Sequence, residues 1–218
     1  MDDTMKVEKA DIEDIDSLVE LRLDYLIGDT EYCGSLFCTI LYCRIVCIIA
    51  LVGEEEDKSM ITHPIEPIYD YNSNILILGS FPSVKSREEG FFYGHKQNRF
   101  WKIVSKVFEE EEPRTIEEKK ALLIRNKIAL WDVIQSCDIV GSSDASITNV
   151  VPNDLSVILN TADIKAIYVN GKTALKYYKK YTEPVIKRPA ICLPSTSPAN
   201  AAWNMEKLLT AWKCISNH

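Results

Sequence analysis

Histidine is scarce in this 218-residue chain, with three copies, and no Cys-x-x-Cys pair occurs among its seven cysteines. Structural zinc and iron–sulfur sites are built from such clusters. The expectation is therefore no metal and no cofactor. Cys33, Cys38, Cys43, Cys47, Cys137, Cys192 and Cys214 are odd in number and follow no secretory signal. Reduced, mostly buried thiols in a cytoplasmic protein are expected. Internal repeats and low-complexity tracts are also missing. The longest apolar run, residues 36–52, carries Arg44 in its interior. It is short of the ~20 residues that a membrane span needs, and charge at its middle is costly. A packed helix or strand is the better reading, so no membrane association is assigned.

Positive charge is sparse in the first third. Residues 1–74 hold 5 Lys+Arg against 17 Asp+Glu, a net of -12, whereas residues 75–218 hold 20 against 15, a net of +5. An acidic head on a mildly basic body is compatible with a phosphate-backbone partner, despite the overall charge of -7. Residues 10–26 alternate apolar and charged side chains at helical spacing. The cluster Glu54-Glu55-Glu56-Asp57 reads as a linker or solvated turn.

From Asn74 onward, strand and helix signals alternate. Ile75-Leu76-Ile77-Leu78, ending at Gly79, reads as a strand buried on both faces. Phe100, Ile103, Val104, Val107 and Phe108 fall on one face of a helix over 98–108. Thr115 and Glu118 form a capping box opening a helix to about Arg125. Strands follow at 128–131, 166–169 and 190–193. Helices are expected at 153–161, at 171–181 behind an Asn170 cap, and from Pro198 behind a Ser197 cap. Alternating strands and helices imply a three-layer α/β/α fold with a short parallel sheet. Its site belongs at the carboxyl ends of the strands, where loops 79–97, 132–149 and 194–199 converge.

Four of these features carry chemistry. Loop 79–97 holds Phe91-Phe92-Tyr93 between Gly90 and Gly94. Such rings can cover a sheet edge or stack on an extruded base. Ser195, Thr196 and Ser197 precede a helix start, where hydroxyls and free N–H groups bind phosphate oxygens; Ser197 also serves as a plain cap. Lys172, in the Asn170-Gly171-Lys172 turn, reads either as a phosphate contact or as a solvated lysine. Asn98 reads as an N-cap of its helix.

The ordered motifs GSFPS, FFYGHKQNRFW and LPSTSPAN resemble the uracil-DNA glycosylase superfamily, and within it the hypoxanthine-DNA (deoxyinosine) glycosylase branch. Trp131-Asp132-Val133 and Gly141-Ser142-Ser143-Asp144 resemble the same branch. The likeness covers about residues 64–215. It implies a monofunctional DNA glycosylase that hydrolyses the N-glycosidic bond of hypoxanthine, and of uracil as a second substrate, in base-excision repair. The superfamily's first motif usually carries an Asp or Asn that positions water, and Gly79–Ser83 has neither. The resemblance moves the catalytic role to Asn98. It assigns the base contacts to Ser80, Phe81, Phe92, Tyr93 and His95, and the DNA contacts to Ser83, Lys172, Ser195, Thr196, Ser197 and Asn200. Lys96 stands where relatives usually have Pro. The implied partner is damaged DNA, bound by a monomer. A catalytically weak DNA-binding module on the same fold is the competing reading, because the first motif lacks its acid. Residues 7–25 resemble the opening of GNAT N-acetyltransferases without the acetyl-CoA phosphate loop. Residues 1–62 are thus expected to form an appendage, and 63–218 the glycosylase domain.

Overall fold

The structure is a computed structural model describing residues 60–217. The expectations for the acidic helix, the apolar run 36–52, Cys33, Cys38, Cys43, Cys47 and the acetyltransferase-like segment lie outside the described residues.

In chain order the first elements are β1 (Ile61–Thr62), β2 (Ile75–Gly79), α1 (Val84–Glu89), α2 (Phe100–Val107) and α3 (Ile116–Arg125). Next come β3 (Ile128–Asp132), β4 (Ile134–Asp138), β5 (Thr148–Pro152) and α4 (Ser156–Leu159). The chain ends with β6 (Ala166–Asn170), α5 (Lys172–Tyr177), α6 (Glu183–Ile186), β7 (Ile191–Leu193) and α7 (Met205–Trp212).

The apolar run of β2 dictates the layers. Ile75 and Ile77 enter one core with Phe100, Ile103, Leu122, Leu208 and Trp212. Leu76 and Leu78 enter a second core with Ile158, Val169, Ala174 and Tyr178. A strand with both faces apolar needs cover on both, and it sits inside a parallel sheet of order β3-β2-β6-β7. Helices α2, α3 and α7 supply the first cover, and α4 and α5 contribute to the second. The expected three-layer α/β/α architecture is what is observed. The Thr115–Glu118 capping box is present in both directions.

Three expectations need correction. Residues 132–149 are not simply a loop: β4 and β5 form an antiparallel hairpin that pairs with β1 in a second, three-stranded sheet. No turn signal separates β3 from β4. The chain bends at Val133, whose N–H bonds Gly79 O at 2.9 Å while the Ile134 N–H bonds Ser80 O at 3.1 Å. The 153–161 helix shrinks to Ser156–Leu159, with the Asp154 carboxylate accepting from Ser156 N at 2.9 Å. Loop 79–97 contains α1, capped by the Ser83 side chain and closed by Gly90 at φ 62°.

Candidate active site

A cavity of about 500 Å³ opens where the parallel strands end, lined by Gly79 of β2 and Ser80 just after it, Asp132 of β3, Asn170 of β6 and Ser195–Ala199 after β7. The volume falls in the range of small-molecule sites, and the position is the one that the topology predicts. Ser80, Phe81, Ser83, Phe92, Tyr93, His95, Asn98, Ser195, Thr196 and Ser197 all line it. Lys172 and Asn200 do not; Lys172 is exposed at the start of α5. The Asn200 amide instead donates to Ser195 O at 2.9 Å, shaping the loop from within.

The aromatic loop divides its labour. Phe91 stacks on Trp101 with ring centroids 5.8 Å apart and does not line the cavity. Here a ring covers the core. Phe92 is buried and contributes to the wall. Tyr93 has φ 53°, a left-handed conformation that is uncommon for a bulky residue. It is held there by stacking on Phe100 at 4.0 Å and by a hydrogen bond from Asn170 Nδ2 to its hydroxyl at 3.1 Å. One face of the Tyr93 ring is therefore taken, and only the other can meet a ligand. Ser86 Oγ braces the loop by accepting from Gly94 N at 3.1 Å.

Asn98, Thr196 and Asn170 form one network. The Thr196 hydroxyl donates to Asn98 Oδ1 at 2.9 Å and accepts from Asn170 Nδ2 at 2.9 Å. Asn170 Oδ1 accepts the Thr196 backbone N–H at 3.0 Å. Asn98 Oδ1 also accepts from Phe100 N at 3.0 Å. A backbone N–H can meet only an acceptor, so the Asn98 oxygen must face inward. Its two lone pairs are then occupied, and the Nδ2 group is left for a ligand. The N-cap expectation needs correction: the cap position of α2 is Arg99, without a side-chain cap bond, and Asn98, one residue earlier, lines the cavity.

The loop after β7 departs from expectation. No helix starts at Pro198; α7 begins at Met205 with Asn204 as its cap, accepting from Lys207 N at 2.9 Å. The loop gathers on Arg99 instead. Its guanidinium donates to Thr196 O at 3.2 Å, Ser197 O at 2.5 Å, Asn200 O at 3.2 Å and Trp203 O. Ser197 O and Asn200 O accept backbone N–H groups as well, from Asn200 at 3.0 Å and Trp203 at 3.4 Å, so the loop closes in turns around the guanidinium. Ser195 Oγ and Ser197 Oγ serve the turn itself, accepting from Ser197 N at 3.2 Å and Ala199 N at 3.3 Å. Likewise Asn170 does not cap α5: the cap is Gly171 at φ 100°. A Cβ there would stand 2.9 Å from that of Ser195.

Two site residues escaped the sequence reading. Asn170 was read as a helix cap, and Asp132 only as the start of loop 132–149 and part of the Trp131-Asp132-Val133 motif, with no role of its own. Asp132 is 4% exposed and lines the cavity, and its Oδ2 is buried without a hydrogen-bond partner. Burial, and secondarily the charge of Asp144, push its pKa up to about 7. Burial and the neighbouring Asp132 also hold the Tyr93 phenol well above its usual value. The available signal was a charged residue closing an otherwise apolar strand, Ile128-Ala129-Leu130-Trp131-Asp132.

Gly79 is the register partner of Asp132 and makes room for it. A Cβ on Gly79 would lie 2.0 Å from Asp132 Oδ1 and 3.2 Å from the Tyr93 hydroxyl. Gly79→Ala is expected to displace the carboxyl, costing roughly 1–3 kcal/mol of stability and up to about 10²-fold in single-turnover rate. Thermal melts and quenched-flow cleavage assays check both.

The hairpin tip closes the other side. Ser142 Oγ accepts from Val84 N at 2.9 Å, Ser80 Oγ donates to Asp144 Oδ1 at 3.4 Å, and Arg87 donates to Pro82 O at 2.8 Å and Gly141 O at 3.3 Å. Among the described residues, no group of three or more His, Cys, Asp or Glu is placed to hold a metal ion.

Fold and site define a class: a three-layer α/β protein with an aromatic-walled, amide-lined cavity at the carboxyl ends of its parallel strands. The family model described as "Uracil DNA glycosylase superfamily" matches residues 66–215. The chain belongs to the uracil DNA glycosylase superfamily. It is 31% identical over 164 residues to a hypoxanthine DNA glycosylase of Methanosarcina acetivorans, covering 73% of this chain and 100% of that protein. It is 32% identical over 123 residues to the hypoxanthine DNA glycosylase of Methanosarcina barkeri, covering 56% of this chain and 75% of that one. The solution NMR structure of a candidate uracil DNA glycosylase from M. acetivorans superposes with a TM-score of 0.63 at 29% identity, over 73% of this chain and 98% of that one.

Proposed function

We propose that the chain is a monofunctional DNA glycosylase that excises hypoxanthine, with uracil as a second substrate, from damaged DNA. The single observation carrying this reading is the Asn98–Thr196–Asn170 network, which presents a fixed amide donor inside a cavity large enough for a base. Two relatives bearing the hypoxanthine DNA glycosylase name support it.

Cleavage of a glycosidic bond leaves an oxocarbenium-like sugar and a base that gathers negative charge. The work lies in holding the extruded base, donating hydrogen bonds to it and placing one water. Asn98 Nδ2 supplies a donor, and Phe92, Phe81 and the free face of Tyr93 supply apolar walls. Ser80 and His95 complete the base contacts. Ser83, Ser195 and Ser197 lie in the loops at the cavity mouth, where a backbone would pass; Thr196, expected as a DNA contact, is fully buried and instead ties Asn98 to Asn170. Lys172 and Asn200 act from outside it, Lys172 as a phosphate contact and Asn200 as a support for the Ser195 loop. Among the described residues no lysine lines the cavity, which favours hydrolysis over Schiff-base chemistry. No helix of the described residues is long and apolar enough to cross a membrane. The reading includes a monomer acting in the cytoplasm, with residues 63–218 as the glycosylase domain.

The test is direct. Duplexes carrying hypoxanthine, uracil or a mismatched thymine are incubated with the full chain, and abasic sites are cleaved with alkali. Strand breaks at hypoxanthine are expected, and residues 63–218 alone should retain them. Retained DNA binding with no breaks on any substrate would make the protein a DNA-binding module instead.

A further inference from the structure

One buried acid in the cavity wall is not used by the scheme above. We propose that Asp132, in its protonated form, is the general acid that hands a proton to the departing base. The proposal rests on the glycosylase reading, and three features of the site carry it.

First, Asp132 ends β3 inside the cavity wall and is nearly excluded from solvent, with Oδ2 left without any partner. An unpaired carboxylate in such a place is costly, whereas the neutral acid is tolerated. Second, the titratable groups around it do not favour ionisation. Asp144, from the hairpin tip, adds negative charge, and the Tyr93 phenol is neutral. His63 reaches the same strand end through Asn153, which donates to Asp132 O at 2.9 Å. Burial pulls His63 down to about 4, so it too is neutral. His95 lies exposed elsewhere on the wall. No lysine or arginine forms a salt bridge with Asp132 among the described residues. Third, Gly79 leaves the space that the carboxyl occupies, since any side chain there would overlap Asp132 Oδ1.

The step balances without an added reagent. The bond between the sugar C1′ and the base nitrogen breaks, and its electron pair leaves with the base. Asp132 transfers its proton to an acceptor nitrogen or oxygen of that base. Water adds to C1′ and gives the abasic hemiacetal. The proton that this water loses restores the Asp132 carboxylic acid. The products are the neutral free base and an abasic site. Acid catalysis of this kind works best when the group titrates near the working pH, and the value of about 7 fits.

The experiment is a pH–rate profile under single-turnover conditions on a hypoxanthine duplex, using the full chain. Wild type should lose rate above about pH 7 along one ionisation. Asp132→Asn should be slower by about 10²-fold at pH 6, and its falling limb should disappear. Asp144→Asn removes the neighbouring negative charge and should shift the wild-type limb to lower pH. Folding is checked by melts. The Asp132 pKa is raised above its ordinary 3.8, so its stabilising effect is present below that value and lost as the pH rises through about 7. Asp132→Asn should therefore melt higher than wild type at pH 8. A wild-type rate that rises through pH 7, or a falling limb that persists in Asp132→Asn, would overturn the proposal. If Asp132→Asn does not fold, the Asp144→Asn limb decides: a downward shift supports the acid, and an unmoved limb overturns it. Absence of any cleavage by wild type would refute the glycosylase reading itself, an outcome distinct from these.

Discussion

Asn98→Asp is expected to slow base excision about 10³-fold in single turnover, the scale of losing one preorganised donor to a developing anion, while the melting temperature stays near that of wild type. The substitution separates the two roles of Asn98. A carboxylate can still accept from Phe100 N and from the Thr196 hydroxyl, as Asn98 Oδ1 does at 3.0 and 2.9 Å. Both bonds accepted by the side-chain oxygen therefore survive. What is lost is the Nδ2 donor, replaced by a negative oxygen beside a base that is itself becoming negative. Asn98→Ala removes the oxygen acceptor and the donor together, so it should also lose about 1 kcal/mol of stability. Comparing the two assigns the rate loss to the donor. A rate for Asn98→Asp equal to or above that of wild type would show that an acceptor at this position does the catalytic work.

The largest effect on stability is expected at Arg99, which no sequence argument singled out. Arg99→Met keeps the length of the side chain and deletes its donors. Four backbone carbonyls, of Thr196, Ser197, Asn200 and Trp203, then lose their guanidinium partner. Hydrogen bonds from a charged donor contribute roughly 1.5–3 kcal/mol each. Solvent can reach part of this half-buried cluster, so a total near 3 kcal/mol is expected. For a domain of this size that lowers the melting temperature by about 6–12 °C. Excision should slow as well, because Thr196 holds both Asn98 and Asn170. Arg99→Lys keeps the charge without the fork, and should recover little of either. Melting curves and excision rates measured on the two variants check the pair. Melting temperatures within a degree or two of wild type would show that the loop stands without Arg99.

The parallel sheet was legible because β2 spells its burial in four consecutive apolar residues, and because capping signals such as Thr115–Glu118 act locally. The hairpin was not. β4 reads Ile134-Gln135-Ser136-Cys137-Asp138 and buries two polar side chains, Ser136 and Asp138. Its pairing partners, Thr62 and Val151, lie 74 and 15 residues from Ser136 along the chain. A strand paired over such separations leaves little periodic trace. The site was legible where its motifs are contiguous, and loops 79–97 and 195–199 do converge on one cavity. Asn170 and Asp132 were missed as site residues for a common reason. Each ends a strand, and a strand end is chemically silent until the neighbouring strands are known. The loop after β7 was misread as a helix start, and its long-range partner Arg99 lies 98 residues before Ser197, beyond the reach of a local signal.

The β4–β5 hairpin hangs beside the parallel sheet, and its tip, residues 139–147, supplies Ile139, Ser142, Ser143 and Asp144 to the cavity wall. The cavity amides come from the other side, Asn170 from the end of β6 and Asn98 from the loop that leads into α2. One jaw of the cleft is thus set by the parallel sheet, and the other is a finger whose base is anchored in the second core by Ile134 and Cys137 while its tip reaches the cavity. Exchanging that finger between relatives offers a way to retune which lesion is accepted without rebuilding the barrel of contacts that keeps the enzyme folded.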